Sequence, residues 1–286
     1  MSLSNLPSWI QEVNFSFEKY EDVPKEVFDQ INDRLDHKDK SEPLVSILVS
    51  AYNEEINVLR CIASLSKTTT EIPFEIIVTN NNSTDKTQLT LDALHIRSVF
   101  QPIQGWGPAR QMGQENARGK YILLADADCL YPPAWVDEMI KVLSRPGVAC
   151  VYGRYAFIPE PGFPRWKLKV LETLKNVVAE YRHLYRPYLN TYGISMGYVK
   201  EYGLKIGFIM EKVRGEDGRM AFDLMTYGKI KQVKSEKALV WTGPRTLQKD
   251  GSFGVVMIKR LTKELKRFFV LLTPEKPHDT KKSDNN

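Results

Sequence analysis

Cysteine is scarce in this chain of 286 residues: Cys61, Cys129 and Cys150 are the whole set, an odd number without metal-type spacing. That excludes a disulfide scaffold and a thiolate zinc site, and a reducing, cytoplasmic compartment is the expectation. Long apolar runs are missing too. Runs such as residues 122–125 and 268–272 fall far short of the ~20 residues a spanning helix needs. No basic stretch followed by an apolar segment opens the sequence, so neither a signal peptide nor a membrane anchor is expected. Gly105-Trp106-Gly107-Pro108-Ala109-Arg110 lacks the spacing of a dinucleotide-binding glycine loop, and no repeat of 20 to 50 residues appears.

What is present is a globular composition, 42% hydrophobic and 10% aromatic, which excludes a disordered chain. The net charge of +5 is unevenly spread. Residues 1–43 carry five basic against ten acidic side chains, whereas residues 252–272 carry five basic against one acidic. Phe28, Ile31 and Leu35 share a helical face in the acidic lead-in. From residue 44 onward, apolar runs at 44–50, 74–78 and 121–125, with a short strand near 97–100, alternate with helical patterns that open on Asn53 as an N-cap, after Ser83 and over 108–117. Strands alternating with helices predict βαβ units around a parallel sheet. Beyond them a strand is expected at 148–155, a helix at 165–185 with apolar positions 171, 174, 178, 181 and 185, and a helix at 219–226.

Ligands of such sheets bind outside the carboxyl ends of the strands. Three ends carry polar clusters: residues 50–55, 80–85 and Asp126-Ala127-Asp128. Two carboxylates one residue apart at the end of an apolar strand concentrate negative charge, and hard oxygen donors there suit Mg²⁺ or Mn²⁺ bridging a diphosphate. The same acids also suit capping of a helix starting near Pro132. The Asn-rich turn offers amides for a base or ribose, and equally ordinary turn chemistry. Arg110 is a candidate diphosphate partner. Gly215-Glu216-Asp217-Gly218 offers either a helix cap or a general base near an acceptor hydroxyl.

In chain order these stretches resemble the family 2 glycosyltransferases with their GT-A fold. Residues 45–55 are similar to the family's first strand and loop, 80–85 to its Asp-Asp-Gly-Ser-Thr-Asp turn, 107–113 to its Ala-Arg-Asn-x-Gly helix and 126–128 to its Asp-x-Asp motif. The resemblance covers residues 44–240, more closely up to 151. It implies inverting transfer of a sugar, of the hexosyl or N-acetylhexosaminyl class, from a nucleotide-diphosphate donor. In that reading Ala51, Tyr52 and Glu54 line the nucleoside pocket, Asn80 faces the base, Asp126 meets the ribose or donor sugar and Asp128, with Asp126, holds the divalent ion. Asp217, beside Glu216, is then similar to the family's catalytic base. Asn80 stands where the family usually has Asp. No metal-ligand histidine follows the strand expected near Trp241, where Arg245 can contact the diphosphate instead. The absence of a Gln-x-x-Arg-Trp motif argues against a processive membrane synthase.

The expected architecture is therefore one α/β, GT-A (Rossmann-like, mostly parallel) domain over 44–250. Residues 44–151 form its nucleotide-binding half and 152–250 its mixed acceptor half, after the lead-in 1–43 and before a basic amphipathic helix and polar tail, 251–286. UDP-sugars are the favoured donors, with GDP- and dTDP-sugars as alternatives, and the acceptor is a saccharide or a lipid-linked one in cell-surface polysaccharide or glycolipid assembly. Basic residues around 165–186 and 257–272 suit an anionic membrane surface, or a solvated face, and place the chain peripherally on the inner side of the cell membrane. Nucleic acid is not expected, because no binding motif accompanies the charge. Two alternatives are a sugar-nucleotide nucleotidyltransferase, whose Gly-rich loop and lysine residues 50–55 do not supply, and a catalytically silent nucleotide-binding or membrane-docking protein.

Overall fold

Two short helices, α1 (Ser8–Val13) and α2 (Lys25–Asp36), precede the strand–helix series β1 (Val45–Ala51), α3 (Asn57–Ser66), β2 (Phe74–Asn80), α4 (Thr87–Asp92), β3 (Arg97–Phe100), α5 (Trp106–Asn116) and β4 (Tyr121–Asp126) in a computed structural model of the protein. There follow β5 (Cys129–Leu130), α6 (Trp135–Leu143), β6 (Val148–Tyr152), β7 (Tyr155–Phe157), α7 (Arg165–Tyr185), β8 (Met196–Val199), α8 (Lys200–Ile206), β9 (Val213–Arg214), α9 (Glu216–Leu224), β10 (Lys229–Gln232) and β11 (Val240–Thr242). The structure describes residues 6–38, 41–211 and 213–245, with 247, 253–255, 257–259, 262, 281 and 282; most of the basic stretch 257–272 lies outside the described residues.

Side-chain alternation explains the layering. Val45, Ile47, Val49 and Ala51 of β1 join one core with α1, α2, α3 and α6, while Leu48 joins a second core with Ile77, Ile122, Leu124 and residues of α9 on the opposite face. Covered on both faces, the strands read as the apolar runs seen in the sequence. Ile10, Val13, Phe28, Ile31 and Leu35 all belong to the first core, so the acidic lead-in packs on α3 with its apolar face inward.

The main sheet runs β3-β2-β1-β4-β8-β6-β10 and is parallel except for β8, which is antiparallel to both neighbours. A three-stranded sheet, β5-β11-β7, flanks it. Strand order reverses between β2 and β4 around β1, and there the register sets Ala51 beside Asn80 and Ser50 beside Asp126. The polar clusters at three strand ends thus share one edge.

Three local expectations need correction. The expected strand at 148–155 breaks into β6 and β7: a Cβ at Gly153 would fall on the Ser195 side chain, and after it the chain leaves the main sheet for the small one. Asn53 does not cap α3. It adopts a left-handed φ of 52° and accepts the Thr84 N–H through Oδ1 at 2.8 Å, so its amide links two loops. Nor do Asp126 and Asp128 cap the following helix, since α6 begins at Trp135 without a side-chain cap.

Candidate active site

β4 ends on Asp126, which leaves the sheet half-exposed. The Tyr131 hydroxyl accepts the Asp126 N–H at 2.8 Å and donates to the Ile194 carbonyl at 3.0 Å, tying the acidic loop to the segment before β8. Asp128 accepts a hydrogen bond from the Cys129 thiol at 3.3 Å, and its backbone carbonyl accepts from the Thr242 hydroxyl at 3.4 Å. The Asp126 and Asp128 carboxylates and Cys129 Sγ all lie within 4.8 Å of one another.

From α5, the Arg110 side chain reaches this strand end almost wholly buried, 4% exposed. Its Nη1 donates to both Glu216 Oε1 and Asp217 Oδ1, and its Nη2 approaches Asp126 Oδ1 at 3.4 Å. The acids lie 106, 107 and 16 residues from it in the chain. Glu216 and Asp217 occupy the first turn of α9, where the helix dipole favours carboxylates, behind Gly215 at a left-handed φ of 93° that glycine takes freely. The second oxygen of Asp217 accepts the Gly193 N–H at 2.8 Å. A Cβ at Gly193 would fall on the Arg110 guanidinium. Gly193→Ala is therefore expected to cost about 1–3 kcal/mol in a denaturant melt, because Arg110 must shift and drag its acids with it.

Charge does not balance here. Arg110 and Arg245 face Glu54, Asp126, Asp128, Glu216 and Asp217, two guanidiniums against five carboxylates. Withdrawal from water pushes the Asp217 carboxyl up to about 7; Arg110 and the Gly193 N–H oppose this, while Glu216 and Asp126 add to it. Asp126 is pushed up to about 6 for the same reason, against Arg110 and with Asp128 and Glu216. Burial alone would lower the Arg110 guanidinium, but the three surrounding carboxylates outweigh it and raise it.

Such an excess of negative charge suits a cation. Asp126 and Asp128 supply hard oxygens at the open edge, the donor type of Mg²⁺ and Mn²⁺. Cys129 does not join them as a thiolate, because burial pushes its thiol well above its usual range and it donates to Asp128. His37, His95 and His183 bond to Asp33, Asp36 and Tyr152, away from these acids. Beside these acids Arg245 Nη2 reaches Asp128 Oδ2 at 3.0 Å and Glu54 Oε1 at 2.6 Å. A cavity of about 340 Å³ opens beside Asp128 and Arg245, with Asn57, Arg60 and Glu160 in its wall. A shallower hollow of about 650 Å³ lies near α2 and Lys67 and touches none of the clustered acids.

The other candidates have defined places. Tyr52 is exposed beyond β1, whereas Ala51 is buried and its carbonyl accepts the Asn81 N–H at 2.8 Å. Glu54 bridges loops, its N–H donating to Thr87 Oγ1 at 2.9 Å. Asn80 is buried, with its amide spent on its own turn: Nδ2 donates to Gln88 at 2.7 Å and Oδ1 accepts the Ser83 N–H at 3.0 Å. Arg110, read from sequence as a diphosphate partner, instead has its guanidinium enclosed by acids. Gly193 and Tyr131 went unnoticed in the sequence, since one acts through a backbone N–H and the other sits in an otherwise apolar stretch.

Residues 46–201, more than half of the chain, match the profile described as "Glycosyl transferase family 2". The chain belongs to that family. Among curated relatives of this glycosyltransferase family, it is 30% identical over 123 residues to "Glycosyltransferase AglE" of Haloferax volcanii, 40% of this chain and 40% of that protein. It is 32% identical over 104 residues to "Putative glycosyltransferase EpsH" of Bacillus subtilis, 35% of this chain and 30% of that one. The matches thus span well under half of these relatives' lengths. In fold it is similar to the mannosyltransferase PcManGT from Pyrobaculum calidifontis, a structure in complex with GDP-Man and Mn²⁺ (TM-score 0.53, 16% identity, 82% of this chain and 68% of that). It is also similar to S. aureus TarS 1–349 in complex with UDP (TM-score 0.53, 18% identity, 72% and 62%). The fold of this family 2 chain is thus the GT-A type that its motifs imply.

Proposed function

We propose that this family 2 glycosyltransferase moves a sugar, with inversion, from a nucleotide-diphosphate donor to an acceptor hydroxyl. The observation that carries the reading is the meeting of Asp126 and Asp217 on Arg110, with Asp128 beside Asp126, at one strand edge. Asp126 and Asp128 would hold Mn²⁺ or Mg²⁺, which when bound would supply positive charge for the departing diphosphate. Arg245, half-exposed over Asp128, adds a second cationic contact for that diphosphate. Ala51, Tyr52, Glu54 and the turn at Asn80 flank the nucleoside. Asp217 takes the proton of the acceptor hydroxyl as it attacks, and Arg110 with Glu216 and the Gly193 N–H keeps that carboxylate in one orientation.

Solved relatives in fold hold GDP-Man with Mn²⁺, UDP-GlcNAc and UDP, which supports a nucleotide-sugar donor, UDP-linked in first choice, and a hexosyl or N-acetylhexosaminyl group. The acceptor is a saccharide or lipid-linked one used in cell-surface polysaccharide or glycolipid assembly, met in the cytoplasm at the inner face of the cell membrane. Three buried cysteines, none in a disulfide, support that compartment.

The test is diphosphate release from UDP-, GDP- and dTDP-sugars with and without Mn²⁺, with the product anomer read by NMR. Release from none of them, or a retained anomer, contradicts the reading. The pH profile adds a check. A base must be ionised to accept a proton, so the rate is expected to fall about tenfold per pH unit below about 7 and to level off above it. A profile flat across that range removes Asp217 from the role.

A further inference from the structure

Among the described residues, the core packs against one side of α7. Leu168, Leu171, Glu172 and Arg182 face inward, and Arg165 pairs with Glu172 at 2.8 Å. Of the apolar positions read from the sequence, Leu171 alone is fully buried. Trp166, Val170, Leu174, Val177, Tyr181, Leu184 and Tyr185 point outward, Val177 at 64% and Leu184 at 76% exposed. At 100° per residue these seven fall within an arc of about 100°, turned away from the buried face. They form a continuous apolar stripe about 29 Å long. Among the described residues no helix is long and apolar enough to cross a membrane, so this stripe has no spanning role.

Its surroundings are cationic. Lys167 and Lys169 flank its start, and exposed Lys231 and Lys234 stand near His183 at its end. Glu180, the helix's one exposed acid, is paired by Lys234 at 2.6 Å. Phe253 and Met257 pack by the beginning of α7, and from there the sequence runs into the segment with five basic residues against one acidic. Apolar side chains with aromatic rings at both ends, bordered by lysines, match the chemistry of a bilayer interface carrying anionic headgroups. The helix also leads straight to the site: after Tyr185 the chain passes through Pro187–Asn190 to Gly193, whose N–H holds Asp217.

We propose that the outward face of α7 lies in the headgroup layer of an anionic phospholipid bilayer and sets the acceptor side of the site against that surface. The proposal deepens the transferase reading, on which it rests only for the source of the acceptor. The experiment is flotation of the full chain with vesicles of phosphatidylcholine alone or mixed with phosphatidylglycerol, without donor or metal, so its outcome is read independently of catalysis.

The wild-type chain is expected to float with the mixed vesicles and not with the neutral ones, less so at high salt. The double variant Val177→Glu, Leu184→Glu is expected to lose binding about tenfold or more, because two charges then enter the apolar layer. Both positions are exposed, so its melting temperature and its donor turnover in detergent-free solution should match wild type. Three results overturn the proposal: no flotation with either vesicle, equal flotation with both, or a wild-type dimer that the double variant splits without any vesicle binding.

Discussion

Asp217→Asn is expected to lower sugar transfer by about 10³-fold while folding and donor binding persist, since positioned general bases contribute roughly 10²–10⁴. The amide fits the same space and keeps its one oxygen for the Gly193 N–H, while its NH2 turns to Arg110, whose Nη1 retains Glu216 as acceptor, so the change removes proton acceptance together with one charge-assisted hydrogen bond. It also removes one of five carboxylates facing two guanidiniums, which relieves rather than adds electrostatic strain. Melting temperature and nucleotide affinity should therefore hold while the rate constant falls. Transfer within about tenfold of wild type would give the base role to another group.

Arg110→Met carries the largest expected loss of stability. Glu216, Asp217 and Asp126 would be left around an uncharged side chain in a largely buried place, and stranding buried charges costs about 3–5 kcal/mol. In a chain of this size that is a fall in melting temperature of about 10 °C. The deficit has a pH signature. Without Arg110 the Asp126 and Asp217 carboxyls rise further above their unfolded values, so the folded state holds protons that the unfolded state has already released. Stability is then retained at mildly acid pH and lost as pH rises through the folded values. Melts at mildly acid and mildly alkaline pH should show a larger gap between variant and wild type at the alkaline end. Arg110→Lys should recover only part of the loss, because an ammonium cannot reproduce the two-pronged contact. A variant as stable as wild type at both pH values would contradict the network.

Much of this arrangement was legible in the sequence because it is written in local pattern. Both-face burial produces uninterrupted apolar runs, which is why β1, β2 and β4 fall where residues 44–50, 74–78 and 121–125 placed them, and the exposed edge strand β3 also falls at the expected 97–100. The long amphipathic pattern likewise marked α7 at Arg165–Tyr185. Strand ends then named the acids, because parallel register brings Ser50, Asn80 and Asp126 to one edge whatever their sequence separation.

What escaped depends on partners far along the chain. Nothing near Arg110 says that its guanidinium will meet residues 216 and 217 rather than a diphosphate. Asn80 looked like a base reader and is spent within its own turn. Gly193 contributes a backbone N–H that any residue carries, and its only local sign is the lack of a Cβ where Arg110 passes. The exposed side of α7 was hidden for a different reason: its periodicity shows two apolar faces, and only packing tells which one the core takes.

The central claim, that acids from separate parts of the chain form one seat for a divalent ion and a sugar-bearing diphosphate, is met most directly by thermal shift. Because a ligand that binds only the folded state raises its melting temperature, Mn²⁺ with the matching nucleotide-sugar should stabilise the wild-type protein by several degrees, about 2–3 kcal/mol near a hundredfold excess over Kd. Asp128→Ala should remove most of that shift while its own unliganded melt stays close to wild type. An undiminished shift in Asp128→Ala, or no shift of the wild type with any UDP-, GDP- or dTDP-sugar, would contradict it.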